Sequence, residues 1–126
     1  MNPEKVMFGF FIVMALTLNF GFFIGDIDDP NHHHIYEFVA AIFVNLVATI
    51  LKFGDRSQVG AVLLATSFVA VLQLLTAALV WGIAIHMQDG MTPKIMASIV
   101  SLSGGALLAN IVSVMLLIIE TAMLKR

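Results

Sequence analysis

Apolar positions fill four long stretches of the chain and polar positions crowd between them, a pattern that predicts four membrane-crossing helices. The first stretch runs from about Lys5 to Gly25, with Asn2 and Pro3 suited to a cap and first turn. The second covers about His34 to Phe53, after the break at Pro30 and Asn31, and Gly54 supplies a C-terminal stop. The third extends from about Ser57 to Met87, and the fourth from about Pro93 to Met123 behind a Thr92 cap. The last two exceed the ~20 residues a bilayer requires, so they must tilt or project into water. The expected fold is an all-α bundle of four transmembrane helices forming one integral membrane domain over residues 1–126.

Within the second stretch, Glu37, Ala41, Asn45, Ala48, Thr49 and Lys52 recur at spacings of three and four and share one helical face. Phe38, Ile42, Phe43, Leu46, Ile50 and Phe53 form the opposite, apolar face. The polar stripe built on Glu37, Asn45, Thr49 and Lys52 either lines a water-accessible path or is buried against neighbouring helices of the same subunit. Within its hydrocarbon portion each stretch also holds one carboxamide: Asn19, Asn45, Gln73 and Asn110. Amides in lipid need partners, so this layer is expected to act as an interhelical clamp, or as an oxygen-lined ring across an oligomer.

Ala97, Ser101, Gly105, Ala109 and Ser113 follow one another at intervals of four in the fourth stretch, a small-residue stripe that favours close helix contact. Gly21 and Gly25 form a shorter version in the first. Four short spans bury little protein, so assembly as a homo-oligomer is the expectation.

Composition agrees with lipid as the solvent: 60% of the 126 residues are hydrophobic and 11% charged. Lys5, Lys52, Arg56, Lys125 and Arg126 fall on one side of the predicted membrane. Lys94 alone shares the other with Asp26, Asp28, Asp29, Glu37 and Asp89. Basic residues near span ends stay in the cytoplasm, which places both termini there. The first stretch ends without an A-x-A cleavage pattern and is read as a retained helix. Nucleic acid is not an expected partner, since the longest basic run is two residues.

The densest chemistry is the outer segment from Asp26 to Glu37, where Asp28 and Asp29 precede His32, His33 and His34, and His86 is expected to emerge beside Asp89 on the same side. Imidazoles with carboxylates suit zinc or another borderline divalent metal. The alternatives are a cation-concentrating or pH-responsive vestibule and a solvated loop with helix-capping acids. No other cofactor is implied. On the inner side Lys52, Asp55, Arg56 and Glu120 are placed to form ion pairs.

The chain has no cysteine, no GxSxG, no HExxH and no phosphate-binding glycine loop, so an enzyme is not expected. No Asp or Glu sits near the centre of a predicted span, which removes the usual proton-coupling group of a small exchanger.

Residues Val44 to Arg56, continuing from Gly60 to Ser67, resemble a small bacterial inner-membrane family that carries only a domain-of-unknown-function label. That resemblance implies an inner-membrane location and no activity. Small multidrug exporters, also of four spans, rely on a glutamate in the middle of the first span, where this chain has Thr17, Asn19 and apolar residues. Fluoride channels carry a glycine and arginine signature that is absent here, and an acidic outer surface is wrong for gathering anions. The leading functional expectation is a homo-oligomeric cation channel or transport component with the second span facing the path. Its rivals are an accessory or scaffold subunit of a larger membrane complex and an envelope sensor of metal or pH.

Overall fold

The computed structural model describes residues 2–87 and 90–124. Asp89, Lys125 and Arg126, which carry part of the charge asymmetry, lie outside the described residues. Four helices follow in order: α1 (Pro3–Phe23), α2 (Ile35–Lys52), α3 (Gln58–Met87) and α4 (Pro93–Leu124), with a 3₁₀ turn at Pro30–His32 between the first two. All four are long and apolar enough to cross a membrane. The observed ends fall within about two residues of the predicted ones because the punctuation is local.

Asn2 accepts a hydrogen bond from the Glu4 amide at 3.0 Å, and Pro3 opens α1. Between α2 and α3 the chain turns at Gly54, whose φ of +91° a side chain would oppose. Asp55 then accepts from the Ser57 amide at 3.0 Å and hydroxyl at 2.8 Å, while Ser57 Oγ caps the Gly60 amide at 2.9 Å. Thr92 Oγ1 accepts from the Ile95 amide to start α4.

Each helix packs on its neighbours in a closed ring, α1 on α2, α2 on α3, α3 on α4 and α4 back on α1. The core divides along the bundle. Phe8, Ile12, Ala48 and Leu63 fill the end bearing Lys5 and Lys52, and Phe22, Phe38, Leu74, Met96 and Ile99 belong to the cluster toward the histidine loop. Phe38, on the apolar face of α2 that suits lipid or tight apolar packing, takes the second course: it is 3% exposed and lies between the rings of Phe22 (5.0 Å) and Trp81 (5.2 Å). Its ring gains aromatic contact there beyond what its burial alone provides. Phe43, Ile50 and Phe53 do face outward.

The small-residue stripe of α4 is only partly buried within the subunit. Steps of four advance about 40° beyond a full turn, so Ala97 to Ser113 winds about 160° around the helix. Ala109 and Ser113 are buried, Gly105 touches Gln73, Ala97 is half-buried and Ser101 faces outward. The face that packs within the subunit alternates threes and fours through Met96, Ile99, Ser103, Ala106, Asn110 and Ser113, all nearly or fully inaccessible.

Candidate functional site

Three of the four carboxamides meet inside the bundle. Asn19 of α1 donates from Nδ2 to Asn110 Oδ1, and Asn110 Nδ2 donates to Asn45 Oδ1 at 2.9 Å. Asn45 ends the chain by donating to the Ala41 carbonyl of its own helix at 2.7 Å. All three side chains are completely buried. Because α2 and α4 stand opposite each other in the ring, the bond between Asn110 and Asn45 crosses the bundle axis. Gln73 stays out of the chain: it is half-buried at the contact of α3 with α4, 3.0 Å from where a Cβ on Gly105 would lie.

The stripe of α2 continues from this layer toward the basic end. Thr49 donates to the Asn45 carbonyl at 2.8 Å, and the Lys52 ammonium sits 4.4 Å from the centre of the Phe8 ring and 3.2 Å from Asp55. Glu37, at the other end of the stripe, packs against Gly21, where any Cβ would collide with its carboxylate. Asn45, Thr49 and Lys52 are therefore spent on contacts within one subunit. A second polar contact joins α3 to α4: Thr66 donates to the Leu63 carbonyl, which leaves Ser113 to donate to Thr66. Two buried atoms have no partner among the described residues, Asn19 Oδ1 and Ser67 Oγ.

Below Lys52 a cavity of about 590 Å³ opens between the ends of α1 and α4 and the α2–α3 turn. Glu4, Lys5, Lys52, Asp55, Arg56 and Glu120 line it, with Lys5 3.6 Å from Glu120. Among the described residues that line it, three cations face three carboxylates. Of the four residues expected to pair at this end, Lys52 and Asp55 pair with each other, Glu120 takes Lys5 as its partner, and Arg56 forms no ion pair among the described residues. Hydrogen bonds from the Ser57 amide and hydroxyl, reinforced by Lys52, hold the Asp55 carboxyl below the usual carboxylate range.

At the opposite end the histidines part company. Asp26, Asp29 and His32 come together, with His32 Nε2 3.4 Å from Asp29 and Nδ1 4.0 Å from the Asp26 carboxylate. His32 Nδ1 accepts the Asp26 backbone N–H at 2.9 Å. One ligand atom from each of these three residues lies within 4.8 Å of the others. His33 is turned inward, whereas Asp28, His34 and His86 are exposed and outside the cluster. The aromatic group of Phe22, Phe38 and Trp81, which sequence reasoning missed, closes this end of the bundle. Only the helical phase of Phe22 relative to Asn19 could have hinted at it.

Residues 32–121 match a family model described as a family of unknown function. The match takes in α2, α3 and most of α4, including Asn45 and Asn110, and leaves Asn19 outside. No curated protein and no solved structure matches the chain.

Proposed function

The chain belongs to that family of unknown function, DUF6394, and on this premise we propose that it is a non-conducting accessory or scaffold subunit in a bacterial inner membrane. The observation that carries the proposal is the amide chain from Asn19 through Asn110 to Asn45, which spends the polar groups of three helices on one another across the bundle axis. A path around an oligomer axis needs the stripe of α2 on the outside of the subunit, and Asn45 and Thr49 are on the inside. What remains outside is apolar, suited to lipid and to other spans.

The test is reconstitution. Purified protein in proteoliposomes is expected to pass neither monovalent nor divalent cations under a gradient or voltage. Crosslinking from exposed α2 and α4 positions in native membranes then separates self-association from membership of a larger complex. Sustained cation flux, abolished by Asn45→Leu, overturns the proposal.

A second reading, a cation transport component whose path lies within the bundle, draws support from the unpartnered Asn19 Oδ1 and from the cavity reaching Lys52 at the base of the stripe. It requires water to reach Thr49 from that cavity.

A further inference from the structure

His33 is 3% exposed although it belongs to the loop joining α1 to α2. The chain folds back sharply there: Gly25 has a φ of +107°, and a Cβ on it would lie 2.7 Å from His32 Cβ. An uninterrupted α1 would bond the Asp26 amide to the Phe22 carbonyl, but that amide donates to His32 Nδ1 instead. The Phe22 carbonyl is thereby left for another donor, and His33 Nδ1 faces it. The other ring nitrogen, Nε2, faces the Asp26 carbonyl at 2.8 Å.

Carbonyl oxygens only accept, so both nitrogens must donate, and only the imidazolium carries two N–H groups. A neutral ring in either tautomer sets a nitrogen lone pair against an oxygen lone pair. We infer that His33 is held as a cation that latches the α1–α2 loop onto the end of α1, and that deprotonation opens the latch. The two carbonyls differ in what they lose. That of Asp26 also accepts the Asp29 amide at 3.1 Å, so the single proton of a neutral ring stays on Nδ1 with Phe22 and the Asp26 side of the loop is released.

The surroundings suit a cation. The Phe22 carbonyl is at the negative end of the α1 dipole, and α1 has no basic residue in its last turn, a deficiency His33 makes good from outside the helix. The Phe22 ring lies 5.4 Å away, backed by Phe38 of α2 and Trp81 of α3. Among titratable groups, the loop itself supplies Asp26, Asp29 and His32, engaged with one another, and Asp28 and His34, both exposed. Glu37 of α2 is half-buried against Gly21, the residue that precedes Phe22. His86 of α3 and Lys94 of α4 are exposed, and neither forms an ion pair among the described residues. The loop is therefore fastened while His33 carries its second proton and loosened once that proton is lost.

The experiment uses the full chain in lipid nanodiscs. ¹⁵N-histidine NMR of the unaltered protein at pH 5.5 is expected to reveal one buried imidazole with both nitrogens protonated; a buried ring with one bare nitrogen overturns the inference. Hydrogen exchange of residues 26–33, corrected for intrinsic base catalysis, is expected to rise about tenfold between pH 5.5 and 8, the loss of one charge-assisted hydrogen bond. His33→Gln, which cannot donate to two opposed carbonyls, is expected to exchange fast at both pH values, and His32→Gln to keep the pH response. A wild-type loop indifferent to pH, or a response that survives in His33→Gln and vanishes in His32→Gln, refutes the latch.

Discussion

Asn110 Nδ2 donates to Asn45 Oδ1 at 2.9 Å, joining two helices that do not neighbour each other in the ring. Asn110 is the middle member of the amide chain, since its own Oδ1 accepts from Asn19. Asn110→Leu therefore strands a donor on Asn19 and an acceptor on Asn45 where no water replaces them. A loss of about 2 kcal/mol of stability is expected, read by unfolding in mixed micelles. Gln73→Leu, outside the chain, is expected to cost under half as much.

Close packing on α4 is expected to follow the alternating face and not the steps of four. Ala106 is completely buried and Ser101 exposed, so Ala106→Leu is expected to destabilise the bundle by about 1–3 kcal/mol while Ser101→Leu is nearly neutral. Thermal unfolding in detergent distinguishes them, and equal losses would restore the stripe through Ser101.

Asp55 fixes the turn between α2 and α3 as an acceptor, and its carboxyl is held low chiefly by the Ser57 amide and hydroxyl, with Lys52 adding to them. A carboxyl lowered in the folded state stabilises fully above its unfolded value and loses that contribution as pH falls through the folded one. The difference in melting temperature between the wild-type chain and Asp55→Asn is expected to be constant from pH 5 to 7 and to shrink below about pH 4. A difference that grows in acid contradicts the assignment.

The four spans were legible because lipid imposes a simple demand: about twenty apolar residues, bounded by residues that cap or turn. The polar face of α2 was legible for the related reason that Asn45, Thr49 and Lys52 repeat with the helical period. Which way that face points was not, since a stripe buried against α1 and α4 has the same spacing as one around a pore. Gln73 fell outside the amide chain because depth in the membrane does not fix helical rotation. The histidines were hardest. His32, His33 and His34 are alike in sequence, and the 3₁₀ turn at Pro30–His32 with the reversal at Gly25 decides which of them turns inward.

The stripe's internal position is tested most directly by thiol labelling in membranes, since the natural chain has no cysteine to interfere. Asn45→Cys and Thr49→Cys are expected to resist a small water-soluble thiol reagent from either side, because a thiol shut in a dry interior forms little thiolate. Ser57→Cys, in the exposed turn, serves as the reactive control. Protection of both positions alongside a labelled control is the expected result; rapid labelling of Thr49→Cys from the Lys52 side, on intact folded protein, would contradict the sealed bundle and give the second reading its water-filled path.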